Sequence, residues 1–262
     1  MRSRLAVLAV LGCLTGLPGC LGGGSSLTGP TTLGDQGHTV WQISDGLCGQ
    51  GVFGGECDLN QHIAVGASPM VQIRQHNSAA TLLDHATLMG GATSVTISGV
   101  STTTDDHGTL IQAHVGSDVA GVADVIVLDA SGHEIDRAHI TFVAAATLLC
   151  GELRTAVTRD LNFPGLTSGP ITVTMAAMTT STATNLACRA NDASGNALLT
   201  VNAIRWSIAT GSVGTISVTS DDLFASSPAV GATARLVTAG TGSGTIHALL
   251  GTASTDIAVS FH

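Results

Sequence analysis

Past residue 38 the chain alternates short runs rich in Val, Ile and Thr with segments rich in Gly, Asp, Asn and Ser. Several runs alternate apolar and polar residues, as half-buried β-strands do. In "AIRWSI" Ile204, Trp206 and Ile208 share one face, and in "AHITFV" Ile140 and Phe142 do. No long run has the 3.6-residue period of an amphipathic helix. With turn signals about every eight to twelve residues, the pattern predicts an all-β fold built of sandwiches.

Two stretches of the chain echo each other. "AGVADVIVLDASGHEIDRAHITF" and "GSGTIHALLGTASTDIAVSF" each run from glycine through a strand and a turn to a closing strand. Each is predicted to be the last hairpin of a domain. "DASG" occurs at 129–132 and 192–195, both times between strand-like runs, and predicts an Asp/Gly turn. We therefore expect two tandem β-sandwich domains, over 38–145 and 146–262.

The first residues have the character of a secretory signal. Arg2 and Arg4 precede an apolar run from Leu5 to Leu14, which as a helix rises about 15 Å, half of a bilayer core. "LPGC" at 17–20 then resembles the lipobox of bacterial lipoprotein signals, with proline where a small residue is usual. The resemblance implies cleavage after a signal peptide of residues 1–19 and lipidation of Cys20. An ordinary signal peptide is the alternative, but no Ala-x-Ala follows the apolar run.

Residues 20–37 are rich in Gly, Ser and Thr and have no apolar periodicity, which predicts a flexible tether with a reach of roughly 20–25 Å. Acyl chains on Cys20 would give a stable membrane anchor. Leu21 is not the aspartate that retains such lipoproteins at the inner membrane. The resemblance therefore implies the cell envelope, at the outer membrane, with the domains facing the periplasm or the cell surface.

The cysteines are predicted to form disulfides. Cys13 lies in the signal and Cys20 is the lipidation site, and four remain: Cys48, Cys57, Cys150 and Cys188. Three pairings are open for an even number of cysteines in an oxidising compartment, and proximity favours Cys48–Cys57 and Cys150–Cys188. Each would contribute roughly 2.5–4 kcal/mol. A four-thiolate zinc site is the alternative, but neither pair has the Cys-x-x-Cys spacing.

Charge narrows the range of partners. The formal net charge is −9, all nine basic residues are Arg, and Tyr is absent. Removing the signal leaves seven arginines against 18 acidic residues, a net charge of −11. An acidic chain without basic clusters is a poor candidate for nucleic acid or anionic lipid surfaces. We expect no nucleic-acid partner.

The C-terminal region carries a family resemblance. "CRANDASGNALLTVNAIRWSIATGSVGTISV" followed by "GTGSGTIHAL" resembles the group 2 bacterial Ig-like (BIG2-like) domains over roughly 185–262, although "IATGSVG" replaces their serine run. The positions that match are Asp192, Gly195, Trp206, Val213, Gly244, Thr245 and Ala248. The first domain resembles the group only in its closing hairpin, and "CGQGVFGGEC" resembles an insertion. The resemblance implies two Ig-like sandwiches without a catalytic site, as in surface adhesion and envelope proteins, with Trp206 in the core.

Motifs of catalysis lack their required context. "GQGVFG" at 49–54 matches G-x-G-x-x-G, but cysteines flank it and no strand–turn–helix pattern surrounds it. "HEIDRAH" begins like a zinc-protease helix, yet Arg137 stands where the second histidine belongs and His139 is off that face. No G-x-S-x-G is present. We predict no catalytic residue and no cofactor.

Clusters of histidine and aspartate keep a metal-site hypothesis open. The groupings that imidazole and carboxylate ligands would suggest are Asp84-His85, Asp105-Asp106-His107 and His62 with His76, and calcium could use Asp105-Asp106 or Asp221-Asp222. Such groups are usually solvated, so our main expectation is no metal. The sequence predicts a lipid-anchored, non-catalytic spacer or adhesion module whose partner is an envelope or extracellular protein or a polysaccharide. The alternative is a periplasmic lipoprotein that binds a metal or a small ligand.

Overall fold

A computed structural model describes residues 27, 29–45, 55–76, 83–153, 166–173, 182–201, 203–211, 215–217, 233–238 and 241–262. The regular structure of these residues is entirely β, and none of them belongs to a helix long and apolar enough to cross a membrane. The first ten strands are β1 (Thr32–Leu33), β2 (Thr39–Asp45), β3 (Gly55–Cys57), β4 (Ile63–Ala64), β5 (Met70–Gln75), β6 (Thr87–Gly90), β7 (Val95–Asp105), β8 (Gly108–Ser117), β9 (Gly121–Leu128) and β10 (Glu134–Val143). The next ten are β11 (Thr147–Leu153), β12 (Leu166–Ser168), β13 (Ile171–Val173), β14 (Thr182–Asn191), β15 (Ala197–Leu198), β16 (Arg205–Gly211), β17 (Thr215–Ser217), β18 (Thr233–Thr238), β19 (Gly242–Leu250) and β20 (Ala253–Phe261).

The strands form two sandwiches with one topology. In the first sandwich one sheet has the order β1-β2-β5-β8-β7, with β3 also paired to β2, and the other has the order β4-β10-β9-β6. In the second sandwich the orders are β12-β11-β14-β18-β17, with β15 also paired to β14, and β13-β20-β19-β16. Apart from short additions, both have the A-B-E-D and C-F-G sheets of an immunoglobulin fold. The predicted fold of two tandem Ig-like sandwiches is confirmed, and the boundary predicted at 145/146 falls between β10 and β11.

The two closing hairpins match at their open ends, whereas the first has a bulge between Glu134 and Asp136 and a longer turn. Gly121 pairs with Phe142 at the end of β9–β10, and Gly242 pairs with Phe261 at the end of β19–β20. The inward faces of the two last strands follow the same period of two, with Ala138, Ile140 and Phe142 buried in one and Ile257, Val259 and Phe261 buried in the other. The predicted echo is therefore a structural repeat.

Both "DASG" segments are turns, as predicted, but they occupy different places. The first joins β9 to β10, and the second joins β14 to the short β15. In each, the aspartate carboxylate accepts backbone N–H groups two and four residues later. Gly132 and Gly195 have φ of 83° and 87°, which glycine adopts without strain.

Tryptophan differs between the sandwiches. Trp41 on β2 is fully buried, and its Nε1 donates to Thr39 Oγ1 at 2.7 Å. Trp206, predicted to be the core Trp, lies on the edge strand β16, where it is half-buried and packs against the core together with Ile208. The alternation in "AIRWSI" thus predicts the correct face of the strand for Trp206. The sequence pattern does not single out Trp41 as a core residue, because β2 directly follows a Gly-rich segment.

The second predicted disulfide is confirmed. Cys150 and Cys188 are bonded, and they face each other directly on the neighbouring antiparallel strands β11 and β14. Cys57 is also disulfide-bonded, to a partner outside the described residues. The predicted Cys48–Cys57 pairing stays a prediction, since Cys48 lies outside the described residues, as does Cys20.

Candidate functional site

A buried carboxylate holds the start of the folded chain against the first sandwich. Residues 32–37, which the sequence placed in the tether, form strand β1 and a turn, with β1 paired to β2. Asp136 on β10 is fully buried beside this turn. Its carboxylate accepts hydrogen bonds from Gln36 N (2.8 Å), His38 N (2.9 Å), Thr39 N (2.8 Å), Thr39 Oγ1 (2.8 Å) and its neighbour Arg137 N (2.9 Å). We call Asp136 and residues 34–39 the N-terminal clasp.

Five donors to one carboxylate determine its charge state. Burial alone raises the pKa of Asp136, but the hydrogen bonds from Gln36, Thr39 and Arg137 favour the ionised form and hold the pKa below its ordinary value. Gly34 makes the close approach possible, because a Cβ at this position would clash with the Asp136 carboxylate. The tether prediction was therefore too long by one strand and one turn.

Above the clasp, His139 lies between two carboxylates on the outer face of the closing hairpin. Its Nδ1 is 2.8 Å from Asp124 Oδ1, the residue opposite on β9, and its Nε2 is 2.9 Å from Asp35 Oδ2 in the clasp. The hydrogen bond with Asp124 raises the pKa of His139, burial opposes this, and Asp35 adds to it. Only the imidazolium donates to both carboxylates at once.

Arg137 completes this surface cluster. It pairs with Glu134 through Nη2 at 2.6 Å and Nε at 2.8 Å, and its Nη1 lies 3.4 Å from Asp124. Its pKa is raised mainly by Glu134, and the pKa of Glu134 is lowered mainly by Arg137. Each charged group thus has an opposite charge beside it, and the cluster contains no nucleophile. The cluster thus links the two strands of the closing hairpin and Asp35 through paired charges.

The Asp105-Asp106-His107 group does not come together as a metal site. Both carboxylate oxygens of Asp105 pair with Arg74, at 3.0 and 2.6 Å, and Arg74 is itself buried. Arg74 lowers the pKa of Asp105 to about 2. Asp106 is exposed and lies 3.6 Å from the ring of His107. The calcium hypothesis for Asp105-Asp106 is wrong, because Arg74 already neutralises Asp105.

The other histidine groupings are not brought together as metal sites among the described residues. Asp84 accepts a hydrogen bond from Thr109 Oγ1 at 2.9 Å, while His85 beside it is exposed with φ of 62°. His76 donates its backbone N–H to His38 O at 2.8 Å. Among the described residues no group of three or more His, Cys, Asp or Glu side chains is placed to hold a metal ion. Asp221-Asp222, Val213 and the "GQGVFG" loop lie outside those residues.

The two sandwiches are hydrogen-bonded to each other at a place that no side-chain motif marks. Residues 61–68 of the first sandwich lie along residues 197–201 of the second, and we call this contact the interdomain joint. Ile63 forms a parallel bridge with Leu199. The bonds are Ala64 N to Leu199 O (2.8 Å), Leu199 N to His62 O (3.0 Å), Ser68 N to Val201 O (3.1 Å) and Gln61 Nε2 to Ala197 O (3.3 Å).

Burial at the joint is nearly complete. Ile63, Ala64, Ala67 and Leu199 are each 0 % exposed, and Val201 is 5 % exposed. On its other side β4 pairs in parallel with β10, so this short strand is bonded to both sandwiches. Each net hydrogen bond contributes about 1 kcal/mol, and burial of two branched side chains adds about 3 kcal/mol or more. The hydrogen bonds and buried side chains of the joint therefore oppose rotation of one sandwich relative to the other.

Sequence reasoning missed Asp136 and the joint. Counting back by two from Phe142 puts Asp136 on the inward face of β10 among apolar residues, so a usable signal was present. For the joint, nearly all the bonds are between backbone groups, and the residue types carry no signal.

Comparisons with known proteins give structural likeness only. No protein-family model matches the chain, and no curated protein matches it. Solved structures that are similar include domains 5–6 of the S-layer protein SbsC (17% identity, TM-score 0.29, covering 76% of this chain and 92% of that chain). Others are the Yersinia pseudotuberculosis adhesin InvE (16%, 0.30, 77% and 56%) and the D0–D1 domain of intimin (12%, 0.29, 77% and 93%). At these TM-scores we base no conclusion on them.

Proposed function

We propose that the chain is a lipid-anchored envelope or surface protein in which two Ig-like sandwiches act as a non-catalytic spacer or adhesion module. The observation that carries the proposal is the interdomain joint. A spacer has to hold its far end at a fixed distance and direction, and this requires that consecutive domains do not rotate freely. Relative motion is the default for interdomain interfaces that are not large and hydrophobic, so the buried residues and hydrogen bonds of the joint are the specific basis for the proposed rigidity.

The N-terminal clasp supports the same role. It ties residues 34–39, at the C-terminal end of the segment predicted to be the tether, to the last strand of the first sandwich through Asp136. Tension arriving through a tether at this point would be passed to a β-sheet instead of to a loose terminus. The proposed partner is a protein or a polysaccharide of the envelope or the cell exterior.

The alternative of a metal- or small-ligand-binding lipoprotein has no observation in its favour among the described residues. One of its sequence candidates, Asp105, is paired with Arg74. We therefore carry only the spacer or adhesion function forward.

The anchor is tested by labelling cells that express the full chain with radioactive palmitate. We expect label in the wild-type chain and none in Cys20→Ala. Protease treatment of intact and lysed cells then locates the sandwiches. Digestion in intact cells supports a surface role, and protection until lysis supports a periplasmic one. An unlabelled wild-type chain would overturn the lipid anchor.

Rigidity is tested at the joint with Leu199→Ala, measured by small-angle X-ray scattering of the full chain. Truncation removes the packing at the bridge, so we expect a broader distribution of end-to-end distances. Leu198→Ala is the matched control, because Leu198 is equally buried but belongs to β15 within the second sandwich. If Leu199→Ala scattered like the wild type while both sandwiches remained folded, the rigid spacer would be disproved.

A further inference from the structure

Strand β7 is an edge of the first sandwich whose outer segment lacks the usual protection against pairing. The strand is 11 residues long, it ends its sheet, and it pairs only with β8 among the described strands. Natural edge strands carry Lys, Pro, inward-pointing charges or β-bulges that prevent pairing with another chain. The bulge of β7 lies between Ser98 and Ser101 and leaves residues 101–105 in regular register with β8. Between Val95 and Thr104 this strand has neither a charge nor a proline, and the charge of Asp105 is paired with Arg74.

The outer half of β7 extends beyond the opposite sheet. Residues 98–105 are all exposed, on both faces of the strand. Thr102 lies opposite Ile111, and Thr104 lies opposite Thr109, whose side chains are buried. Both threonines thus point to the core side of the sheet, yet both are exposed.

The hairpin turn determines which backbone groups point outward. Asp105 pairs with Gly108 across a two-residue turn, so this pair exchanges both hydrogen bonds. Alternation along the ladder then bonds Thr103 and Ser101 to β8. It leaves the N–H and C=O groups of Thr102 and Thr104 directed away from the sheet. Four backbone groups are therefore available at spacings that suit another antiparallel strand.

We propose that β7 pairs with β7 of a second copy of this chain, antiparallel and with Thr103 on the two-fold axis. Thr102 then exchanges both hydrogen bonds with Thr104 of the second copy, and Thr104 does so with Thr102. Ser101 faces Asp105 of the second copy, so no like charges oppose each other. Self-complementarity of this kind is the requirement for a two-fold interface. It matters for a chain with a formal net charge of −9, since two copies of the same net charge repel each other overall.

The contact joins the larger sheets of two first sandwiches into one continuous sheet. Its area is that of a single strand pair, so we expect weak, reversible association. The inference stands whether or not the chain is lipid-anchored, because it uses only the geometry of β7 and β8.

The test is disulfide cross-linking of the purified full chain. In the proposed register Thr103 of each copy forms a non-hydrogen-bonded pair, with Cα atoms about 4.5 Å apart, a distance that a disulfide can span. We expect Thr103→Cys to give a covalent dimer under mild oxidation on a non-reducing gel. Ser101→Cys is the matched control. Its equivalent in the second copy lies about 13 Å away along the strand, so it stays monomeric. The wild-type chain, oxidised in the same way, shows whether the native cysteines form a cross-link between copies.

A second pair of variants shows whether backbone pairing is responsible. Thr102→Pro removes an outward N–H without removing a bond to β8, so the cross-link of Thr103→Cys should be lost in that background. Thr102→Val keeps the N–H and should retain it. Circular dichroism confirms that each variant is folded. Three results would each overturn the proposal. They are equal cross-linking at 101 and 103, no cross-link at 103, and a cross-link that survives Thr102→Pro in a folded chain.

Discussion

The two sandwiches have one topology but hold their first strands in place by different means. In the second, β11 is joined to β14 covalently, through Cys150–Cys188. In the first, the segment that leads into β2 is held by the buried carboxylate of Asp136. The comparison shows that a shared strand order does not dictate the chemistry that secures it. One anchor responds to redox conditions, the other to pH.

The largest expected effect is at the disulfide. Replacing both cysteines, Cys150→Ala with Cys188→Ala, opens a loop of 38 residues. We expect the second sandwich to lose about 3–4 kcal/mol of unfolding free energy, because the unfolded chain gains entropy. Hydrogen exchange read by mass spectrometry in urea would show faster exchange in β14 and β19 and little change in β5 and β9. An equal loss in both sandwiches would contradict independent anchoring.

The second prediction concerns the clasp. Asp136→Ala removes the acceptor of five hydrogen bonds, and the donors that stay buried lose their partner. We expect about 3 kcal/mol of destabilisation, confined to the first sandwich. Urea titration followed by hydrogen exchange measures it. Asp129→Ala is the control, since that aspartate organises only an exposed turn. A loss no greater than the control's would show that the clasp contributes little.

The sign of the pH dependence follows from the same carboxylate. The pKa of Asp136 is lower in the folded than in the unfolded chain. Its contribution to the free energy of unfolding is therefore present above the unfolded pKa and is lost as the pH falls through the folded pKa. The wild type should therefore lose stability in its first sandwich on acidification. Asp136→Ala should lose less over the same range.

A smaller effect is expected at Gly34. In Gly34→Ala the added Cβ meets the Asp136 carboxylate, so the turn or β10 must shift. We expect about 1–2 kcal/mol of destabilisation in the first sandwich, within the range of overpacked sites. The same substitution in the Asp136→Ala background is the control, because the carboxylate atoms nearest the added Cβ are then absent. Thermal unfolding compares the cost of Gly34→Ala in the two backgrounds, and an equal shift in Tm would refute the steric account.

The smallest effect belongs to His139. The pKa of His139 is raised in the folded chain. Its contribution to the free energy of unfolding is therefore complete below the unfolded pKa and is lost as the pH rises through the folded pKa. Because the ring is 47 % exposed, we expect only a few tenths of a kcal/mol. His139→Gln should flatten the stability curve above the histidine's unfolded pKa. An unchanged slope would mean that the pairing with Asp35 and Asp124 has no energetic role.

Local patterns predicted much of this fold. Period-two alternation gave the strand faces, "DASG" gave two turns, and proximity gave Cys150–Cys188. What the sequence did not predict depends on contacts between distant residues. Gln36 and Asp136 are 100 positions apart. Gln61 and Ala197 are 136 apart, and the joint is built largely from backbone groups that every residue has. Arg74 and Asp105 meet only because β8 lies between β5 and β7.

The parallel pairing of an early strand with the last strand has a mechanical consequence. β4 pairs with β10 and β13 pairs with β20, each time in parallel. When the two ends of a sandwich are pulled apart, such neighbours slide along each other, so their hydrogen bonds are loaded together and must rupture together. An antiparallel hairpin pulled at its two ends opens one bond at a time under a smaller force. Each sandwich thus places a shear-loaded pair between its entering and departing strands, where a pulling force would act first.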